Sequence, residues 1–254
     1  MRELEARRVS FSRQGRGLIL ADISFKLPAG KKLAILGANG AGKTTLLSLL
    51  GGRLSPDTGG VALDGENVGT IAPRSLARKI AFLPQIERLP FNYRVLEFVL
   101  MGRAPHIAPL SLPGAPDEAI ARSALAELGL AALEALRAGE ISGGEFQLVR
   151  MARCLAQEAE LLLLDEPTSL LDPANAQRVA RELAALASKG KTIVFATHDI
   201  ALARSLADLI LVLGNHGALR LGPPAEVLMP DCLGQAFGVE FGMEKVPTAY
   251  SGLS

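Results

Sequence analysis

Apolar residues in this chain change their spacing several times, and each spacing predicts a different element. Ile19, Ala21, Ile23, Phe25 and Leu27 alternate with their neighbours until Pro28-Ala29-Gly30, the period of two expected of a half-buried strand. Val61-Ala62-Leu63-Asp64-Gly65 predicts a further strand that stops in a turn. Unbroken apolar runs appear at 33–36, 161–164 and 209–213, and Thr192 leads another into Ala196. Strands covered on both faces carry such runs, as in a parallel sheet. Helical spacing fills the gaps. Residues 45–50 put Leu46, Leu49 and Leu50 on one face, and 147–157 put Leu148, Met151, Ala152 and Leu155 at i, i+3, i+4 and i+7. Residues 119–136, with their alanines and leucines, and 174–187 also predict helix. From about Ile86 to Gln157 strand patterns vanish. The alternation predicts an α/β fold in which a helical insert separates two halves of a parallel-sheet core. Neither an internal repeat nor a low-complexity linker interrupts it.

Composition narrows this picture. With 254 residues and 49% hydrophobic, the chain can bury a full α/β core, and its length suits one or two domains. Lys and Arg number 27 against 26 Asp and Glu, for a net charge of +1, and no basic run is longer than two. Charge therefore gives no case for nucleic acid. Cys154 and Cys232 lie far apart without a C-x-x-C partner, which fits a reducing compartment and not a metal site. Met1-Arg2-Glu3-Leu4-Glu5 is charged and has no signal-peptide core. No apolar run approaches the ~18 residues of a membrane span. The chain is expected to be soluble, with any membrane link made through a partner.

Two segments carry phosphate chemistry. Gly37-Ala38-Asn39-Gly40-Ala41-Gly42-Lys43-Thr44 fits G-x-x-x-x-G-K-[ST] in full and lies between a predicted strand and a predicted helix beginning near Thr45. Glycines let the backbone curl so that successive N–H groups and the positive end of the helix point at one anion. Lys43 would reach the β- and γ-phosphates, and the Thr44 hydroxyl would ligate Mg²⁺. Residues 161–164 lead into Asp165-Glu166, at the carboxyl end of a buried strand, where open α/β sheets place their ligands. Asp165 there can hold Mg²⁺, and Glu166 can polarise a water for attack on the γ-phosphate. Two acids closing a core strand can also be its solvated edge; the glycine-rich loop favours the first reading. The expected ligand is a nucleoside triphosphate.

Further segments resemble those of ATP-binding cassette ATPases. Ile141-Ser142-Gly143-Gly144-Glu145 is similar to the family signature, with Ile for Leu. Gln85, after Phe82-Leu83-Pro84, resembles the Q-loop, Ser169-Leu170-Leu171-Asp172 the D-loop, and Thr197-His198-Asp199 carries a switch histidine. All stand in the family's order, and the resemblance spans residues 9–239. It implies a P-loop NTPase with a RecA-like core, an N-terminal antiparallel β subdomain and an inserted helical subdomain. The single domain of 1–254 would divide into 1–85 plus 158–254, holding the β subdomain and core, and 86–157, the helical signature subdomain. Glu166, His198, Lys43 and Gln85 become the expected catalytic residues, and Thr44, Gln85 and Asp165 the Mg²⁺ ligands. ATP is expected on Gly37, Asn39, Gly40, Ala41, Gly42, Lys43, Thr44 and Thr45. A helix starting just after Gly144 puts Ser142 and the glycines at a helix N-terminus, an anion site with no ligand of its own in one copy. The resemblance supplies one: two copies pack head to tail, and Ser142, Gly144 and Asp172 of each face ATP held by the other.

Several positions depart from the family pattern. Arg13 stands where an aromatic usually stacks on adenine, and a guanidinium can also stack on a π face; Phe11 is the nearest aromatic. Arg94 replaces a common Thr, and Phe146 follows the signature where a polar residue is frequent. Residues 95–106, 147–153, 222–228 and 237–239 resemble the ATPase subunits of iron-siderophore, haem and cobalamin importers. The resemblance thus implies an ATP-hydrolysing subunit of a metal-chelate importer, with molybdate, zinc and manganese as alternative cargoes. A soluble ABC ATPase outside transport is a more distant alternative, since no long coiled coil and no second cassette is present. The implied partners are a second copy, membrane permease subunits and, indirectly, a substrate-binding protein, with the chain at the cytoplasmic face of the membrane. Between residues 89 and 106, Phe91, Tyr93, Val95, Leu96, Phe98 and Leu100 exceed what one buried helix face requires, so an outward apolar surface for the permease is expected there.

Overall fold

The strand-forming runs meet in one mixed sheet, seen in a computed structural model that describes residues 3–15, 17–87, 90–169, 171–215 and 217–241. Its strands are β1 (Glu3–Arg13), β2 (Gly17–Pro28), β3 (Lys32–Leu36), β4 (Thr58–Leu63), β5 (Glu66–Asn67), β6 (Ile80–Leu83), β7 (Leu161–Asp165), β8 (Thr192–Thr197), β9 (Leu209–Gly214) and β10 (Gly217–Gly222). They lie in the order β5-β4-β1-β2-β10-β9-β3-β8-β7-β6. The pairs β6–β7, β7–β8, β8–β3 and β3–β9 are parallel, and β1, β2, β4 and β5 pair antiparallel. The two regimes join at β10, antiparallel to β9 and parallel to β2.

The helices are α1 (Lys43–Leu50), α2 (Pro73–Lys79), α3 (Val95–Leu100), α4 (Ala115–Glu127), α5 (Gly143–Ala156), α6 (Pro173–Ser188), α7 (Ile200–Leu206), α8 (Pro224–Val227) and α9 (Pro230–Phe237). Unbroken apolar runs mark strands covered twice, as expected: every residue of β7 and β8 is buried. Alternate side chains enter two cores. Leu33, Ile35, Leu161, Leu163, Val194 and Ala196 join α1 and the antiparallel strands on one side. Ala34, Leu36, Leu162, Leu164, Ile193 and Phe195 join α3–α7 on the other. Residues 90–157 hold α3, α4 and α5 and no paired strand among those described.

The structure corrects the sequence reading in several places. The helix read at 119–136 is α4, which ends at Glu127. Gly129, at φ +64°, turns the chain; its N–H reaches Ala126 O at 2.9 Å and that of Leu130 reaches Leu125 O at 2.8 Å. Those two bonds form a Schellman stop. The helix read from Thr45 begins at Lys43. Strand β6, with four residues, was too short to stand out beside α2, and α7, β10, α8 and α9 gave no separate signal. The apolar surplus around α3 is mostly core: Val95, Phe98 and Val99 are buried, and Tyr93, Leu96 and Leu100 pack against the same cluster. Only Phe91 in that list stands out, at 68% exposed. Leu89 lies outside the described residues, as do Met1, Arg2 and Leu170.

Close backbone approach holds the helical layer together at Gly102, where a Cβ would sit 2.3 Å from the Arg153 carbonyl oxygen of α5. Gly102→Ala must push these segments apart, at the usual cost of overpacking, about 1–3 kcal/mol. A urea melt should show a lower midpoint; an unchanged midpoint would contradict this packing.

Candidate functional site

Where β3 ends at Leu36, the chain turns through the glycine loop into α1. Gly40 and Gly42 have φ of +86° and +96°, and Gly42 is the N-cap of α1. A Cβ on Gly42 would lie 2.9 Å from Leu20 Cδ2, and one on Gly37 2.7 Å from the Leu213 carbonyl oxygen. Both positions therefore exclude a side chain. No side chain caps α1, so its first N–H groups are left for a ligand. Ala41 N–H closes the loop on Ala38 O at 3.3 Å. Lys43 is 6% exposed and folds back across the loop, donating to Gly37 O at 2.8 Å and Ala38 O at 3.2 Å.

Parallel register brings the second segment alongside. Asp165 pairs with Ala196, and Leu36 with Thr197, so the ends of β3, β7 and β8 finish at one edge. Thr44 Oγ1 donates to Asp165 Oδ2 at 2.7 Å, and the buried Asp165 Oδ1 has no hydrogen-bond partner. Burial pushes the Asp165 carboxyl above its ordinary pKa; the Thr44 bond opposes this, the Glu166 charge adds to it and Lys43 counters. Glu166 has a left-handed backbone, φ +51°, held by its N–H on Ala196 O at 3.0 Å and by Ser169 N–H on its own carbonyl at 3.1 Å. Its buried carboxylate lies between Lys43 Nζ, 3.3 Å from Oε1, and His198 Nδ1, 2.9 Å from Oε2.

These groups line a cavity of about 280 Å³ with Arg13, Ile19, Asn39, Gly40, Gly42, Thr45 and Gln85. Arg13 thus faces the cavity, whereas Phe11 packs into the core of the antiparallel strands. Sequence reasoning missed Ile19: strict alternation puts it on the core face with Ile23, Phe25 and Leu27, but the register shifts near Asp22, at φ +50°, so that Leu20 is buried instead and Ile19 borders the cavity. His198 joins through Glu166, with its own side chain 55% exposed.

Ser142, Gly144 and Asp172 do not line this cavity. Ser142 caps α5 in a capping box: Glu145 N–H donates to its Oγ at 3.2 Å, and its own N–H reaches Glu145 Oε2 at 2.8 Å. That backbone N–H and the Ser142 hydroxyl hold the Glu145 pKa below its ordinary value. Asp172 caps α6 by accepting from Asn175 N–H at 2.9 Å. Gly144 faces Asn175, whose Nδ2 would be 2.8 Å from a Cβ there. Phe146, the departure after the signature, packs its ring 5.6 Å from that of Phe98. Arg94 precedes α3, its N–H on Glu97 Oε2 at 2.9 Å.

The family described as ABC transporter matches residues 20–169. The hemin import ATP-binding protein HmuV of Pseudomonas fluorescens is 38% identical over 240 residues, covering 92% of this chain and 92% of that protein. Its Bordetella pertussis namesake is 38% identical over 254 residues, covering 96% and 95%. A solved metal-chelate type ABC transporter, in an inward-facing conformation, has a TM-score of 0.85 at 35% identity, covering 94% of this chain and 90% of that one. The structure of cbiO1 from Clostridium perfringens, part of the cbiONQ complex, has a TM-score of 0.77 at 26% identity, covering 90% and 91%.

Proposed function

We propose a role that proceeds from one premise: this chain belongs to the ABC transporter family, as an ATP-binding subunit whose ATP hydrolysis is coupled to import. The relatives named for hemin import and the metal-chelate type neighbour support a metal chelate, of the haem kind, as cargo. The observation that carries the reading is the meeting of Lys43, Thr44, Asp165, Glu166 and His198 at one strand edge.

ATP would lay its phosphates in the Gly37–Thr44 loop, with Lys43 Nζ turning from the Gly37 and Ala38 carbonyls to the β- and γ-phosphates. The orphaned, buried Asp165 Oδ1 beside the Thr44 hydroxyl is an all-oxygen donor set that suits Mg²⁺, with Gln85 as a further ligand. Mg²⁺ supplies charge neutralisation on the β- and γ-phosphate oxygens. Glu166, released from Lys43, would accept a proton from the attacking water, while His198 fixes its carboxylate and contacts the γ-phosphate. Arg13 and Ile19 border the place left for the base.

Ser142, exposed at the head of α5, and the half-buried Gly144, neither of them lining this cavity, suit the ATP of a second copy, with Asp172 beside them. Two composite sites then form in a head-to-tail dimer. The permease surface is narrower than the sequence suggested. Phe91 stands over a groove of about 390 Å³ lined also by Glu87, Pro90, Asn92, Ala138, Gly139 and Phe146, and Ile86 is 70% exposed nearby. No helix among the described residues is long and apolar enough to cross a membrane, so this groove would carry the chain to the permease at the cytoplasmic face. A substrate-binding protein would be reached only through that permease.

Glu166→Gln should retain ATP binding and lower turnover by about two orders of magnitude or more, the usual worth of a general base. Near-normal hydrolysis would remove Glu166 from that role.

Ser142→Arg should abolish hydrolysis while a single copy binds ATP normally. Mixing it with Lys43→Ala should restore part of the ATPase, because each mixed dimer has one intact composite site and one site with both lesions. A loss of ATP affinity in Ser142→Arg as large as that in Lys43→Ala would place Ser142 in its own chain's site.

A further inference from the structure

Helix α5 carries two buried polar side chains, Gln147 and Arg150, 7% and 5% exposed. They stand one helical turn apart, and Arg150 Nη1 donates to Gln147 Oε1. Gln147 Nε2 donates to the Pro167 carbonyl at 2.8 Å, one residue beyond Glu166. Arg150 Nη2 donates to the carbonyl of Pro84, the residue before Gln85, and its Nε lies 3.3 Å from Glu87 Oε2. The linked pair therefore spans the carboxyl ends of β6 and β7, parallel neighbours paired as far as Leu83 with Leu164.

We propose that Arg150, acting through Gln147 and Glu87, is a positioning residue that sets the spacing between Gln85 and Glu166 and ties both to the helix headed by Ser142. The inference rests on the reading that Gln85 and Glu166 serve the γ-phosphate. A guanidinium can do this because its donors form a rigid planar fork that serves a carbonyl, an amide oxygen and a carboxylate together; an ammonium presents one compact charge. Burial disfavours the charge on Arg150, and the Glu87 carboxylate opposes that loss. An apolar side chain of similar length would fill the same space without that penalty, so packing alone does not call for the cation. Because α5 begins at the surface offered to the second copy's ATP, strain at one site reaches the other through this strut.

The test compares ATPase kinetics, ATP affinity and Tm in the full chain for Arg150→Lys, Arg150→Met and Glu87→Gln. Arg103→Lys is the control. Arg103 is also 5% exposed, and it binds the Ala156 carbonyl, Asp117 and Glu158 away from the cavity. Misplacing Gln85 and Glu166 should lower kcat by about tenfold or more in the Arg150 variants, with the KM for ATP changed by less than about twofold. Arg103→Lys should lower Tm and leave kcat alone. In a Gln85→Ala background, Arg150→Met should cost less further kcat than in the unaltered chain, because only Glu166 is left for it to misplace, the non-additivity expected of residues that act as a unit. If Arg150→Met fails to fold, Arg150→Lys and Glu87→Gln carry the same comparison. An unchanged kcat in Arg150→Lys, or a full tenfold loss added to that of Gln85→Ala, would overturn the proposal. Normal ATPase in Gln85→Ala alone would instead overturn the γ-phosphate reading on which it rests.

Discussion

Parallel pairing of β3, β8 and β7 is the constraint on which the rest of the structure depends. Side chains on these strands alternate between two cores, so slipping one strand by a residue would exchange Leu33 and Ile35 for Ala34 and Leu36 across the sheet. The register is therefore held by buried apolar area along the strands. Its consequence appears only at their ends. Thr44 and Asp165, 121 positions apart in sequence, come within 2.7 Å, and Glu166 meets both Lys43 and His198. Burial of leucine and valine thus positions the polar chemistry.

Electrostatics at that edge are poised for a ligand with many negative oxygens. Lys43, Asp165 and Glu166 are 6%, 1% and 4% exposed, a cation and two acids withdrawn from water together. Withdrawing ions is costly unless they are paired and hydrogen-bonded. Lys43 meets this by using two backbone carbonyls and Glu166, whereas Asp165 keeps one oxygen unsatisfied. Glu166 adds backbone strain, with φ at +51° in a residue that has a side chain. The surroundings that hold it there are the β8 carbonyl of Ala196 and the turn at Ser169.

Much of this was legible in the sequence where one local pattern decides the structure. The buried runs announced β3, β7, β8 and β9; Gly40 and Gly42 stand where positive φ is required; and α5 follows from the spacing of Leu148, Met151, Ala152 and Leu155, although it starts at Gly143, two residues before the sequence reading has it. Strand β6 and helices α7 and α9, of four, seven and eight residues, have neither a long apolar run nor a flanking motif to mark them, and at that length periodicity alone does not separate helix from strand. The stop of α4 at Gly129 was readable as a glycine but was hidden by the leucines and alanines that continue beyond it. Apolar residues around α3 outnumber what one buried helix face requires, which by sequence alone predicts an outward surface. In fact α3 packs against α4 and α5 at once, and Val95, Phe98 and Val99 are buried there. The Gln147–Arg150 strut could not be read locally, since its acceptors are backbone carbonyls at Pro167 and Pro84, 20 and 66 positions away.

The central claim is that ATP is held where these three strand ends meet, with Glu166 freed from Lys43 to face the water. A crystal structure of the chain with Mg²⁺ and a slowly hydrolysed ATP analogue tests it most directly. The account predicts Lys43 Nζ on the β- and γ-phosphates and no longer on the Gly37 carbonyl. It also predicts the metal beside Thr44 Oγ1 and Asp165 Oδ1, and Glu166 within hydrogen-bond reach of a water in line with the γ-phosphate. A bound analogue that leaves the Lys43–Glu166 pair intact, or a γ-phosphate remote from Glu166, would contradict it.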